Sequence, residues 1–247
     1  NIGDIFEIGT FAGAITQSLA LASEKFKPNI YTVDKFEWDH DKKKKFPNLS
    51  FQIEDDFSNY VIDTLSHFEN IKIFKSNFVD LKPNNQIELM FIDAPKRMKY
   101  VIQLIRIFSN YWIENNTKLL FEDYNQFLSY ELPATLFPIK KNFRFHTNRS
   151  DIVVAEFLKN KIDVKDYELM NIRKWDIQEI KNNWDEIHII GDNAKYIDKE
   201  ISIFMHLFDN NFFDEAISYA RERKINFENY KIKNKFIKNY LSKIEKI

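Results

Sequence analysis

Gly3, Gly9 and Gly13 are three of the four glycines in this chain of 247 residues, and they bracket the stretch DIFEIGTFAGA (4–14). Glycine is the residue for positive φ and for close approach of backbone to a ligand. Placed between an apolar run and a helical run, the cluster predicts a strand, a tight turn and a helix wrapped around something bound. Asp34 closes the next apolar run, IYTVD (30–34), where a carboxylate can accept hydrogen bonds from both hydroxyls of a ribose. Asp93 closes IELMFID (87–93), Lys96 follows it, and Asp123 closes KLLFED (118–123). Strands that end in acids beside a glycine turn gather those acids at one rim. The turn is not a dinucleotide fingerprint, because Phe11 and Ala14 stand where G-x-G-x-x-G needs glycine, and there is no phosphate loop of the form GxxxxGK[ST].

These residues need a scaffold, and the composition supplies one. Apolar residues make up 44% and charged residues 30%, with 36 Lys+Arg against 37 Asp+Glu. The chain can bury a core, and its charge balance argues against a generic polyanion binder. The absence of cysteine excludes disulfides, thiol catalysis and zinc–thiolate sites and is compatible with the cytoplasm, where we expect the protein to work. No apolar run approaches the roughly 20 residues needed to cross a bilayer. The chain opens on Asn with its first motif following at once, so a truncated N-terminus is expected.

The runs 4–8, 30–34, 71–75, 87–93 and 118–123 read as strands. Helices are predicted over 12–25, over 56–68 with Phe57, Val61, Leu65 and Phe68 on one face, and over about 97–110 with Val101, Leu104, Ile105 and Phe108 spaced for burial. Apolar strands alternating with helices indicate a parallel sheet covered on both faces. FRFHT (143–147) and DIVVAEFL (151–158), separated by Asn148–Ser150, predict an antiparallel hairpin. The expected class is α/β, a doubly wound, mainly parallel seven-stranded sheet ending in that hairpin. The polar stretch 35–50, with DHDKKKK, reads as a solvated loop. After about residue 160 the chain changes character, and 197–224 reads as two amphipathic helices joined at Asn210–Asn211. We therefore divide it into 1–158, the domain with the motifs, and 159–247, a helical extension.

Taken in order, EIGTFAG, YTVD and FIDAPKRMKY (91–100) resemble the first, second and post-strand-four motifs of the class I S-adenosylmethionine (SAM)-dependent methyltransferases. Within them they look most like the small-molecule O-methyltransferase branch, catechol- and caffeoyl-type and sugar O-methyltransferase-like. The resemblance covers roughly residues 4 to 158. It implies that Glu7 lies near the amino-acid end of SAM, that the turn of Gly9, Thr10, Phe11 and Gly13 contacts the methionine part, and that Asp34 holds the ribose. Ser76 and Asn77 would lie near the adenine, and Asp93 at the reacting end. It also implies a divalent ion such as Mg²⁺ on Asp93 and Asp123, with Lys96 in the place of the family's base. The sequence departs from that pattern at Tyr124, where metal-dependent relatives carry Asn or Asp.

The function expected on this resemblance is methyl transfer to a hydroxyl of a small molecule, a sugar or glycan precursor being one class. The alternative is a methyltransferase-like domain that serves a larger protein as a scaffold or accessory, or that uses the pocket for other chemistry. A nucleic-acid methyltransferase is disfavoured, since FIDAPKRMKY is not the D/N-P-P-F/Y/W stretch of base amino-methylators and no phosphate-tracking charge is evident. The expected partner is a small hydroxyl acceptor, with no nucleic acid and no membrane span, and self-association would run through the C-terminal helices. Residues 35–50 and 124–142 and the tail are the expected walls of the acceptor site.

Overall fold

The computed structural model describes residues 3–94, 96–124, 126, 129–146, 152–158, 162–190, 199–225 and 227. Seven strands form one sheet: β1 (Asp4–Ile8), β2 (Ile30–Asp34), β3 (Ile71–Lys75), β4 (Ile87–Ile92), β5 (Lys118–Phe121), β6 (Phe143–His146) and β7 (Val153–Phe157). Their order is β3-β2-β1-β4-β5-β7-β6. Strands β1 to β5 pair in parallel, and β7 runs antiparallel to both β5 and β6. This is the doubly wound sheet with a terminal hairpin that the alternation of apolar runs predicts. The hairpin turn expected at Asn148–Ser150 lies outside the described residues.

All five residues of β1 are buried, as a central strand covered on both faces requires. The register sets Ile8 beside Val33 on one side and Ile92 on the other, and Ile92 beside Phe121. The residues that follow those four positions, Gly9, Asp34, Asp93 and Glu122, therefore leave the sheet at one edge. That edge includes the place between β1 and β4 where the winding reverses, which is where open α/β sheets bind ligands.

The helices of this half are α1 (Ala14–Ala22), α2 (His40–Lys45), α3 (Ser58–Leu65) and α4 (Met98–Phe108). On α4, Val101, Leu104, Ile105 and Phe108 are buried, following the spacing in the sequence. The stretch 35–50 is not the open loop expected of it. Asp39 accepts the Lys42 amide at 2.8 Å and so starts α2, and lysines propagate a helix well once it is capped.

Between β5 and β6 lies α5 (Glu131–Leu136), which the sequence pattern does not announce. Beyond the hairpin come α6 (Val164–Leu169), α7 (Ile177–Ile190), α8 (Lys199–Asp209) and α9 (Phe213–Glu222). The expected stripe on the first C-terminal helix is buried at Ile201, Phe204 and Phe208, while Ile197 lies outside the described residues. One apolar cluster joins Tyr130, Ala134 and Phe137 to Ile172, Trp184, Phe204 and Leu207, so the later helices share a core with α5. Among the described residues no helix is long and apolar enough to cross a membrane.

Candidate functional site

A cleft of about 360 Å³ opens at the carboxyl edge of the sheet, within the size range of small-ligand sites. Ile8 and Gly9 from the end of β1, Val33 and Asp34 from β2, and Ser76, Asn77 and Phe78 from the segment after β3 form its floor and one side. Ala94 and Tyr100 also line it, as do Lys35, Glu37, Asp39 and Lys42, so part of the 35–50 stretch borders the cleft.

Gly9 has φ +99°, and a Cβ there would stand 3.1 Å from the Asp93 Cβ and 3.3 Å from the Ala94 nitrogen. A side chain there would be strained by the positive φ and crowded against Asp93 and Ala94, and the glycine presents bare backbone to the cleft. Gly13 has φ +82°, and a Cβ would press on Leu65 of α3 at 3.3 Å; this glycine serves the contact of the turn with α3 more than any strand contact. Asp34 Oδ2 accepts the Phe11 amide and Oδ1 the Phe36 amide, each at 2.9 Å. A carboxylate has about four acceptor sites, so each oxygen keeps capacity toward the cleft. The Phe11 ring packs on Phe46 and Phe57, with centroids 5.1 and 6.3 Å away.

Of the residues expected around a cofactor, Gly9, Asp34, Ser76 and Asn77 line the cleft, whereas Glu7, Thr10, Phe11, Gly13 and Asp93 do not. Glu7 is fully buried beneath the turn. Its Oε2 accepts hydrogen bonds from the Thr16 and Thr32 hydroxyls, both at 2.5 Å, and Thr10 Oγ1 lies 2.5 Å from Thr32 Oγ1. Glu7 Oε1 has no partner among the described residues. Burial raises the Glu7 pKa to about 7 against the two threonine bonds, and the charges of Asp34 and Asp93 push the same way. The Ser76 amide donates to the Asp34 carbonyl at 3.1 Å, and the Asn77 side chain caps the short 3₁₀ turn Phe78–Asp80. Phe78 and Tyr100 meet edge to face at 6.5 Å. Neither was singled out from sequence, although Tyr100 ends the FIDAPKRMKY motif.

A second group lies beside the cleft, after β4 and β5. Lys96 Nζ donates to the Glu122 carbonyl at 2.5 Å and stands 3.4 Å from Asp93 Oδ1 and 3.6 Å from Asp123 Oδ2. The three expected residues therefore do meet. Glu122, whose direction the sequence left open, lies near Asp93 and Asp123. Its pKa is raised to about 7, first by burial and then by Asp93 and the Asp123 charge. The Gln126 amide donates to Asp123 Oδ1. Tyr124 is buried among Phe121 and Phe145, and burial pushes its phenol up.

This donor set does not fit the Mg²⁺ that the resemblance implies. Mg²⁺ demands about six oxygens near 2.1 Å, whereas an ammonium sits between the two carboxylates and the third-ligand position points into the core. Among the described residues no group of three or more His, Asp or Glu could hold a metal ion.

Asp93 does not cap α4. Glu131 does, accepting the Met98 amide at 2.7 Å together with Arg97 at 3.0 Å and Arg173 at 2.8 Å. His146 pairs with Glu156 on the hairpin at 3.3 Å.

No protein-family model matches the chain, and no curated protein matches it. Among solved structures it is similar to phosphoethanolamine N-methyltransferase 1 of Haemonchus contortus, with 11% identity over 75% of this chain and 46% of that one and a TM-score of 0.47. It is also similar to the N-methyltransferase NodS of Bradyrhizobium japonicum in complex with S-adenosylhomocysteine, with 12% identity over 64% and 78% and a TM-score of 0.42. A third is an rRNA methylase of Streptococcus thermophilus, with 12% identity over 63% and 87% and a TM-score of 0.41. Identities of this size carry no information about the acceptor or the reaction.

Proposed function

We propose that this protein is a SAM-dependent methyltransferase acting on a hydroxyl of a small molecule, with sugars or glycan precursors as the first class to test. The observation that carries the reading is the cleft at the strand reversal, which the Gly9 backbone and Asp34 line together. That pairing suits a nucleoside whose ribose diol is held by the acid while its remaining chain lies along bare backbone. Ser76, Asn77 and Phe78 flank the base, and Glu7 holds the turn from below through Thr16 and Thr32.

When bound, SAM supplies a methyl group already activated on a sulfonium, so the protein's task is alignment and handling one proton. Asp93 would take the acceptor's hydroxyl proton in the transfer, in which the methyl carbon would exchange its bond to sulfur for one to oxygen, the electron pair staying on sulfur. Lys96 offers positive charge to the oxygen as its own negative charge develops. We assign catalysis to residues 1–158 and a packing role to the helical extension 159–247, and we expect the protein to work in the cytoplasm.

Calorimetric titration with SAM and with S-adenosylhomocysteine tests the reading. The expected result is micromolar binding that Asp34→Ala abolishes while far-UV circular dichroism stays native. The dichroism control matters because Asp34 also holds the Phe11 and Phe36 amides. A wild-type protein that gives no heat and no thermal shift with either compound refutes it.

A further inference from the structure

We infer that Lys96 is a built-in cation of this protein, its ammonium lying between the two carboxylates on which the resemblance would put a divalent ion. Three oxygens surround Nζ: the Glu122 carbonyl at 2.5 Å, Asp93 Oδ1 at 3.4 Å and Asp123 Oδ2 at 3.6 Å. They match in number the three N–H donors of an ammonium. The nitrogen is also tethered, since its side chain is only 20% exposed. A divalent ion placed between Asp93 and Asp123 would stand against a positive charge a few ångströms away, in a half-buried site where such repulsion is weakly screened.

The backbone is shaped to the lysine as well. Asp123 has φ +55°, a conformation that a non-glycine residue adopts at a cost and that concentrates at functional sites. With the chain turned there, the Glu122 carbonyl faces Lys96 and the Tyr124 ring enters the core against Phe121 and Phe145. The position that could have supplied a third metal ligand is thereby spent on packing, and a carbonyl is presented to the ammonium. That this cluster is the acceptor end rests on the function proposed above; that it holds a lysine charge and excludes a divalent ion does not.

The test uses Mn²⁺ as the probe and the full chain. Wild-type protein titrated with Mn²⁺ and followed by the electron paramagnetic resonance of the free ion is expected to bind none at micromolar concentrations, and its melting temperature is expected to ignore Mg²⁺ and EDTA. Lys96→Met removes one positive charge beside two carboxylates and is expected to raise Mn²⁺ affinity about tenfold or more, with circular dichroism confirming the fold. Stoichiometric micromolar binding of Mn²⁺ by the wild type, lost in Asp93→Asn, overturns the inference. So does a folded Lys96→Met protein that binds Mn²⁺ no better than wild type. If Lys96→Met does not fold, the wild-type titration decides alone. Calorimetry with SAM on the same samples separates the two proposals, since Lys96 does not line the cleft. Absence of SAM binding with the Mn²⁺ results as expected removes the methyltransferase reading and leaves the lysine in place.

Discussion

Replacing Glu7 by Gln should change how stability depends on pH, and the size of the change follows from its burial. Glu7 is fully buried, and its pKa is raised from 4.5 to about 7, mainly by loss of water around the charged form. A folded-state value above the unfolded one means that the native protein binds the proton more tightly. The contribution of Glu7 is then present in full below pH 4.5 and is lost as the pH rises through about 7. A shift of this size corresponds to about 3 kcal/mol between the two ends of that window. In E7Q nothing titrates at this position. Its amide oxygen can still accept from Thr16 and Thr32, and whatever the amide nitrogen costs beneath the turn is the same at every pH. Urea unfolding at a series of pH values from 4.5 to 8, run on wild type and E7Q in parallel, isolates the effect because other titrating groups cancel in the difference. E7Q should gain on the wild type by about 3 kcal/mol from the acid end to the alkaline end. A difference that stays flat within 1 kcal/mol would mean that the Glu7 carboxylate is solvated in the native state, and the account of the turn resting on a buried acid would be wrong.

Two further predictions concern the helical half. His206 is fully buried, with Nδ1 accepting from the Trp184 indole and Nε2 donating to the Ile172 carbonyl, each at 3.2 Å; burial lowers its pKa from 6.5 to about 4, and the neighbouring Arg173 adds to this. Its stabilisation is therefore present above pH 6.5 and lost as the pH falls through about 4, a loss of about 3 kcal/mol that His206→Gln should remove from the acid limb of the unfolding profile; an unchanged acid limb refutes it. Glu131 is the buried acceptor for the Met98 amide, Arg97 and Arg173, so Glu131→Gln should cost about 2–4 kcal/mol in urea unfolding at pH 7, and a loss below 1 kcal/mol would show that the network contributes little.

What the sequence revealed and what it hid divide along one physical line. Strand runs such as IYTVD and IELMFID carry their burial in consecutive side chains, so the sheet and the acids that close its strands are visible locally. The α4 stripe is visible for the same reason. Glu131 is invisible because its three partners come from α4 and from the turn before α7, far along the chain. The 35–50 stretch misled because its polarity suits solvent equally well as a loop or as a capped helix, and one Asp39–Lys42 bond decides between them. The bonds that hold the Glu7 carboxylate are hidden in the same way as those of Glu131, since Thr16 comes from α1 and Thr32 from β2.

The cluster after β4 and β5 shows most sharply what spacing alone leaves out. Asp93, Lys96 and Asp123 were found at the positions that suggested them, and they do converge. Their division of labour nevertheless depends on the positive φ at Asp123, which no glycine announces. Had the chain continued in an ordinary conformation there, Tyr124 and not the Glu122 carbonyl could have faced the rim, leaving the lysine with one partner fewer. Because it turns, the lysine gains a neutral acceptor beside its two charged neighbours. A site that holds its cation covalently does not depend on the concentration of a metal ion and cannot be stripped of it by a chelator, but it has a single positive charge where a divalent ion would bring two. Under the function proposed above, such a site should be weaker at acidifying a bound hydroxyl and should lean more heavily on Asp93, the proposed proton acceptor.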